Sequence, residues 1–310
     1  MNSINAVAFI FPGQGAQTVG MGKSFYDGSP AAKAIFDQAQ NVLGNDLLDV
    51  VFNGPQEKLT LTSYSQPAIV TFSIAALAAF KESPKFKNVN PKFTAGLSLG
   101  EYSALIASEA FSFEDGIRLV ERRGAFMEEA CNINKGTMAA VIGFDKIKLK
   151  EICSQAGVEV ANFNSPVQIV ISGEVEKVEK ACEMIKSAGA KSVILLDVAG
   201  AFHSSLMGPA VDKFKGELNK IIINPLIIPV VSNVKAVAET DPVAIADNLP
   251  KQITSSVLWE DSVRFMAAEG ITDFIEIGPG TVLKGLIRKI DRELRVHNIE
   301  KPGDIESLPF

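Results

Sequence analysis

The chain has 310 residues, of which 47% are hydrophobic and 21% charged, and its formal net charge at pH 7 is −6. This composition is typical of a globular protein with a large core, excludes a disordered chain, and argues against a general nucleic-acid-binding role. The three cysteines, Cys131, Cys153 and Cys182, form no CxxC pair, so we expect them to be reduced and structural. No basic stretch opens the chain and no apolar run reaches the roughly 20 residues of a membrane span, so we expect a cytoplasmic protein without a membrane partner.

Short apolar runs alternate with helical patterns along the chain, which predicts an α/β fold. Residues 7–11 predict a buried strand, residues 94–96 the end of another strand, and residues 99–108 a helix that follows it. Ser65 and Pro67 have the character of an N-cap and an early helical position before a long apolar run. We therefore expect a buried helix to begin at Ser65.

The segment from about residue 136 to residue 198 has a pattern of its own. Strand-like runs and two amphipathic helical runs follow each other in the order β-α-β-β-α-β, which is the ferredoxin-like arrangement. The α/β pattern of the first part resumes afterwards. We predict a small domain at 132–198 that is inserted into a large domain made of 1–131 and 199–310.

The sharpest local motif is GLSLG at residues 96–100, which matches G-x-S-x-G. This pattern places a serine on a sharp turn between a strand and a helix, where its hydroxyl is exposed. Backbone N–H groups at the start of that helix can stabilise a developing oxyanion. The predicted strand and helix on either side supply the required context. We predict Ser98 to be a nucleophile; the alternative is a Gly/Ser turn without chemistry.

A serine nucleophile needs a base, and the chain has only two histidines. His297 lies in a polar-flanked strand near the C-terminus, which indicates a surface or edge position. His203 lies in a loop where the chain returns to the large domain, and we predict it to be the base. Asp197 precedes it by six residues at the expected end of a strand, and no other acid stands out. A Ser-His pair whose imidazole is held by a backbone carbonyl is therefore plausible.

Two adjacent arginines, Arg122 and Arg123, follow in the next predicted helix. Neighbouring helical residues point roughly 100° apart, so we expect one of them to point into a cleft and the other into solvent. An arginine beside a serine nucleophile favours a substrate carboxylate, held by two hydrogen bonds. The alternative is a solvated arginine pair with Glu121 and Glu128 nearby.

The opening loop, FPGQGAQTVGMGKS, resembles a phosphate-binding loop but fails both standard patterns. Walker A requires glycine where Gln17 stands, and the dinucleotide motif requires glycine where Thr18 stands. The Gly-Lys-Ser at 22–24 is then an accident of spacing. We predict instead that this loop supplies a second backbone N–H to an oxyanion hole. A nucleotide-binding module stays as an alternative.

Seven motifs occur in the order found in malonyl-CoA:acyl carrier protein transacylases: FPGQGAQ, GLSLGEYSAL, VERRGAFM, ANFNSPVQIVISG, GAFHSSLM, VVSNV and EIGPG. The similarity runs from about residue 9 to residue 286 and extends to the acyltransferase domains of polyketide and animal fatty acid synthases. The resemblance implies an α/β-hydrolase-like large domain with a ferredoxin-like insertion. It also implies malonyl-CoA and holo acyl carrier protein as partners, and neither cofactor nor metal.

The same resemblance implies a ping-pong reaction in which Ser98 takes the malonyl group and passes it to the phosphopantetheine thiol of the carrier. His203 is the base in both steps, and the oxyanion lies between the amides of Gln14 and Leu99. Family positions that bind or support the substrate fall on Arg123, Met127, Phe202, Gln252, Asn162 and Asn233. The pathway implied is fatty acid elongation; service to a polyketide synthase and a serine thioesterase or hydrolase are the alternatives.

Leu97 stands where the family most often has histidine, and we expect little loss of activity from it. Phe202 directly before His203 resembles malonyl-selective acyltransferases and would disfavour an α-methyl branch. A basic patch for the acidic carrier is predicted on the helix near the C-terminus, at Lys284, Arg288 and Lys289.

Overall fold

Two β-sheets organise the protein, whose computed structural model describes residues 5–44 and 46–310. The first four residues of the predicted large domain lie outside the described residues. The strands are β1 (Asn5–Phe11), β2 (Val89–Gly96), β3 (Gly136–Ile142), β4 (Glu159–Ser165), β5 (Gln168–Glu174), β6 (Ser192–Leu195), β7 (Val230–Val231), β8 (Ala238–Glu239), β9 (Asp273–Ile277) and β10 (Arg295–Ile299).

Helices cover both faces of the larger sheet and one face of the smaller sheet. They are α1 (Lys23–Gly28), α2 (Pro30–Leu43), α3 (Leu47–Asn53), α4 (Gln56–Thr60), α5 (Thr62–Glu82), α6 (Gly100–Ala107), α7 (Phe113–Ile133), α8 (Lys146–Ala156), α9 (Val175–Ser187), α10 (Gly208–Leu218), α11 (Pro242–Gln252), α12 (Trp259–Ala268), α13 (Val282–Ile290) and α14 (Pro302–Glu306). Short 3-10 turns lie at Pro84–Asn88 and Ser205–Met207.

The larger sheet has the strand order β10-β9-β1-β2-β7-β8, and its pairs are parallel except for the last. Strand β1 lies inside this sheet with helices over both faces. Its residues Val7, Phe9 and Phe11 pack into one hydrophobic core, and Ala8 and Ile10 into another. A parallel strand covered on both faces has a continuous apolar sequence, which is why this strand was predictable.

Helix α5 begins at Thr62, earlier than predicted, and contains Pro67 in its interior. The expectation that Ser65 caps this helix is wrong. The amides of Tyr64 and Ser65 already donate to the carbonyl of Leu61, so the first turn closes before the proline is reached. Burial of 15 of the 21 residues of the helix outweighs the hydrogen bond that Pro67 cannot make.

The same helix passes a membrane-span test on length and apolar composition alone, because it has 21 residues. The expectation that no apolar segment reaches that length is therefore wrong. Of its most apolar 18-residue window, 78% is buried inside the protein. The helix is thus part of the core, packed against α2 and α7.

The smaller sheet is antiparallel, with the order β4-β5-β3-β6, and its elements follow the chain as β-α-β-β-α-β. It joins the rest of the protein at β4, where the Val257 amide donates to the Ala161 carbonyl and the Val257 carbonyl accepts from Phe163. The two sheets thereby form the walls of one cleft. Cys153 and Cys182 are free and pack in the core under this sheet.

Candidate active site

The opening loop and the serine turn leave the larger sheet side by side. Strands β1 and β2 are parallel neighbours whose register pairs Phe11 with Gly96, so the loop after one strand lies against the turn after the other. A Cβ atom on Gly13 would lie 2.6 Å from the carbonyl oxygen of Leu97. Only glycine permits this approach, which brings the backbone of Gln14 to the serine.

Ser98 occupies the strand-to-helix turn in a strained backbone conformation, with φ at 51°. Asn233 holds this turn from both sides: its Oδ1 accepts from the Ser98 amide at 2.7 Å, and its Nδ2 donates to the Gly96 carbonyl at 2.7 Å. A Cβ on Gly96 would lie 1.9 Å from the backbone of Gly100, so the turn requires glycine there. The strain is therefore supported by specific contacts on both sides of the serine.

His203 lies against the serine. Its Nε2 is 2.7 Å from Ser98 Oγ, and its Nδ1 is 2.8 Å from the backbone carbonyl oxygen of Gln252. A carbonyl oxygen only accepts, so Nδ1 carries a proton and Nε2 of the neutral ring is free to accept the serine proton. Asp197 lies two residues past the end of β6, is exposed, and is not a partner of the imidazole.

Burial lowers the pKa of His203 to about 4, and the positive charge of Arg123 acts in the same direction. The imidazole is therefore neutral at physiological pH. A neutral imidazole that accepts from the serine hydroxyl has the protonation state required of a general base.

Arg123 projects into the same site and is 1% exposed. Its Nη2 donates to Ser98 Oγ at 3.2 Å and to Gln252 Oε1 at 3.1 Å, and its Nη1 donates to Gln66 Oε1 at 2.8 Å. The guanidinium carbon lies 5.1 Å from the ring centre of Tyr102. Burial lowers the pKa of Arg123. Within residues 5–44 and 46–310 no carboxylate lies at ion-pair distance from it, and its hydrogen-bond partners are neutral. The charge of Glu101 favours its charged form without direct contact.

The neighbouring candidates lie away from this centre. Arg122 is exposed and pairs with Glu121 at 3.5 Å. His297 lies on the edge strand β10, where its Nε2 is 3.1 Å from Asp273 Oδ1. Lys23, from the Gly-Lys-Ser of the opening loop, is exposed and pairs with Asp27. Each of these three side chains thus has a partner of its own outside the site around Ser98.

Two backbone amides remain for a developing oxyanion. The Ser98 amide is taken by Asn233, but the amides of Leu99 and Gln14 make no hydrogen bond to the described part of the protein. Leu99 precedes helix α6, and Gln14 follows Gly13 in the adjacent loop. Both residues line the cavity around Ser98. Their role as donors to an oxyanion stays a prediction.

A cleft of about 620 Å³ opens over Ser98 between the two sheets. Of the remaining candidates, Leu97, Met127, Phe202 and Asn162 line it, whereas Asn233 and Gln252 hold the residues around Ser98 from behind. No group of three or more His, Cys, Asp or Glu side chains in the described ranges is arranged to hold a metal ion.

Sequence reasoning missed three buried residues of the site: Gln66, Glu101 and Tyr102. Gln66 is 1% exposed in the first part of helix α5, where it follows the polar residues 62–65, and no local pattern distinguishes it from its neighbours. Glu101 is 5% exposed and accepts from Gln252 Nε2 at 2.5 Å and from the Asn233 amide at 3.3 Å. An acidic residue in the first turn of a helix is common, so the sequence position of Glu101 does not indicate a role in the site.

Residues 8–301 of this chain match the family described as acyl transferase domain. A malonyl CoA-acyl carrier protein transacylase of Bacillus subtilis (strain 168) is 46% identical over 98% of this chain and 96% of its own length. The crystal structure of a malonyl CoA-acyl carrier protein transacylase from Clostridium perfringens is 42% identical, covers 98% of this chain and 96% of that one, and has a TM-score of 0.92.

A third similar structure is that of a type II polyketide synthase acyl carrier protein in complex with its malonyl transacylase. It is 37% identical, covers 98% of both chains and has a TM-score of 0.94. Sequence and fold therefore agree over nearly the whole length of the chain. The family match spans residues 8–301, and the Bacillus subtilis relative aligns over almost the full length of both chains. The chain therefore belongs to the malonyl CoA-acyl carrier protein transacylases of the acyl transferase domain family.

Proposed function

We propose that this protein transfers the malonyl group of malonyl-CoA to the phosphopantetheine thiol of an acyl carrier protein, through an ester on Ser98. The observation that carries the proposal is the buried cation beside the nucleophile. Arg123 donates to Ser98 Oγ and has only neutral partners in the described residues. A buried charge of this kind is stabilised by an anion that arrives with the substrate.

Acylation begins when His203 Nε2 accepts the hydroxyl proton of Ser98 and the oxygen attacks the thioester carbonyl. The negative charge on the tetrahedral intermediate lies between the amides of Leu99 and Gln14. Collapse of the intermediate breaks the carbon–sulfur bond, and the CoA thiolate leaves with the proton that His203 returns. Throughout, the carbonyl of Gln252 keeps the Nδ1 proton in place and stabilises the imidazolium.

Deacylation repeats these steps in reverse with the carrier thiol as the nucleophile. His203 takes the thiol proton, the sulfur attacks the ester carbonyl, and Ser98 leaves as the alcohol. The malonyl carboxylate pairs with Arg123, which turns from Ser98 Oγ to a bidentate contact. Met127 and Phe202 bound the acyl pocket, and Phe202 leaves little room for an α-methyl branch.

The carrier protein docks on the exposed basic face of α13, formed by Lys284, Arg288 and Lys289. This helix begins at Val282, which lines the cleft. At its far end Lys289 Nζ is 3.4 Å from Gln168 Oε1 of the smaller sheet, and Gln168 also lines the cleft. A positive surface here suits an acidic carrier.

We assign residues 1–131 and 199–310 to an α/β-hydrolase-like catalytic domain and 132–198 to a ferredoxin-like domain. The parallel sheet with its serine turn supports the first assignment. The order β-α-β-β-α-β with β4-β5-β3-β6 pairing supports the second. The protein acts in the cytoplasm, where it supplies malonyl carrier for fatty acid elongation.

A product analysis tests the proposal. The protein is mixed with malonyl-CoA and either a fatty acid or a polyketide holo-carrier, and malonyl-carrier and free malonate are quantified. Malonyl-carrier as the main product, formed faster on the fatty acid carrier, is expected. Free malonate as the main product would make the protein a hydrolase, and a faster reaction with the polyketide carrier would move it to that pathway.

A further inference from the structure

Gln252 connects nearly every group of the site. Its carbonyl oxygen accepts from His203 Nδ1, and its Oε1 accepts from Arg123 Nη2 at 3.1 Å. Its Nε2 donates to the Ser98 carbonyl at 2.9 Å and to Glu101 Oε2 at 2.5 Å. The side-chain amide therefore serves its neighbours only in one of its two orientations.

We propose that Glu101 is a positioning residue that fixes the amide of Gln252, and through it the guanidinium of Arg123, so that it sets the preference for a malonyl over an acetyl group. This inference rests on the proposed function. Glu101 touches none of the reacting atoms and acts through the two residues it orients.

The hydrogen-bond donors and acceptors around Glu101 fix the orientation of the Gln252 amide. Glu101 Oε1 accepts from the backbone amide of Asn233, and its Oε2 accepts from the Nε2 of Gln252. A carboxylate accepts at both oxygens, so the Gln252 amide must present its nitrogen to Glu101. Its oxygen then faces Arg123. No other polar side chain among the described residues contacts Gln252 on the Glu101 side.

An amide in place of the carboxylate breaks this pattern. The Asn233 amide cannot turn and keeps the one remaining acceptor oxygen, so the new NH₂ group faces the Nε2 of Gln252. If Gln252 turns to relieve this contact, its nitrogen faces Arg123 and its oxygen faces the Ser98 carbonyl. In the first orientation two NH₂ groups face each other and the hold on Gln252 is lost, and in the second both Arg123 and the Ser98 carbonyl lie beside a group of the wrong kind.

The charge on Glu101 is sensitive to pH. Burial raises its pKa to about 7, while the hydrogen bonds from Gln252 and Asn233 and the charge of Arg123 oppose the rise. The other titratable groups that face it are Tyr102 on the same helix, Glu239, which lines a small cavity with it, and His203, linked through Gln252. Protonation replaces one acceptor by a donor, so the orientation of Gln252 weakens as pH falls through about 7.

The test compares kcat/KM for malonyl-CoA and acetyl-CoA in wild type, Glu101→Gln and Glu101→Asp. Because His203 is the base for both substrates, any effect of its protonation on kcat/KM cancels in the ratio of the two values. We expect Glu101→Gln to lower the malonyl-to-acetyl ratio about tenfold or more. Glu101→Asp keeps a carboxylate and should lose less. In wild type the ratio should fall as pH drops through about 7, and in Glu101→Gln it should be constant over that range.

Glu276→Gln is the matched control. Glu276 is another buried glutamate, fully shielded from solvent, that accepts from the backbone amides of Leu283 and Lys284. Its substitution should lower the melting temperature but leave the ratio unchanged, which separates lost stability from lost positioning.

Two results would overturn the inference: a ratio in Glu101→Gln within twofold of wild type, or a wild-type ratio that does not change with pH. The second applies even if Glu101→Gln fails to fold. Failure of wild type to form a malonyl adduct would instead overturn the proposed function, and this inference with it.

Discussion

The Nδ1 atom of His203 lies 2.8 Å from the backbone carbonyl oxygen of Gln252, in the place where a carboxylate holds the histidine of a Ser-His-Asp triad. A carbonyl fixes the tautomer as an acid does, but it adds no negative charge to a buried ring. Under the proposed function, we therefore expect the site to work as a Ser-His pair.

The first prediction concerns Asp197, the acid closest to His203 in sequence among the candidates. It is exposed and does not contact the imidazole, so Asp197→Ala should leave the rate of Ser98 acylation by malonyl-CoA within about twofold of wild type. Stopped-flow measurement of CoA release in a single turnover would check this. A hundredfold loss would show that the histidine depends on this acid after all.

The second prediction separates the two adjacent arginines. Arg123→Ala should lower kcat/KM for malonyl-CoA by roughly 100-fold or more relative to acetyl-CoA, since a buried charge-assisted pair is lost. Arg122→Ala is the matched control, because Arg122 is exposed and pairs only with Glu121. Its selectivity should equal that of wild type. Equal losses on both substrates in Arg123→Ala would remove the carboxylate role.

The third prediction follows from the low pKa of His203. Burial disfavours its protonated form, so the base stays free as pH falls below the usual range of histidine and is lost only near pH 4. The rate at which an uncharged fluorophosphonate modifies Ser98 reports this titration without involving carboxylate recognition. We expect this rate to fall with decreasing pH only near about pH 4. A fall of the rate near pH 6.5 would instead show an imidazole with an unperturbed pKa.

The fourth prediction concerns carrier docking. Reversal of charge at Lys284, Arg288 and Lys289 should raise KM for the holo-carrier about tenfold, most strongly at low salt, and leave acylation by malonyl-CoA unchanged. Lys215→Glu is the control, since Lys215 lies on α10, none of whose residues line the cleft. An unchanged KM in the triple variant would move the docking surface elsewhere.

Local patterns made much of this protein predictable. The serine turn is specified by glycines within five residues, and the smaller sheet by short strands and amphipathic helices with regular periods. The neighbourhood of Gln14 and Leu99 is different. It depends on the pairing of β1 with β2, which are far apart in sequence. The serine motif indicated that the opening loop would supply a second amide, and the family resemblance named Gln14 and Leu99 as the donors.

The parts that were missed depend on tertiary contacts. Gln66 contacts Arg123 from helix α5, whose sequence mainly indicates a buried core helix. That helix begins before Pro67 because burial outweighs the local preference of proline for the first turn. Glu101 has the sequence context of an ordinary helix-start acid, and its role follows from contacts with residues more than a hundred positions away. No local pattern encodes such contacts.

The central claim is that Ser98 carries the malonyl group between the two thiols. Intact mass after mixing with malonyl-CoA, followed by peptide mapping and addition of holo-carrier, tests it most directly. Wild type should gain one malonyl group on the peptide that contains Ser98 and lose it to the carrier, and Ser98→Ala should gain none. An adduct on another residue, or one that persists in Ser98→Ala, would contradict the account.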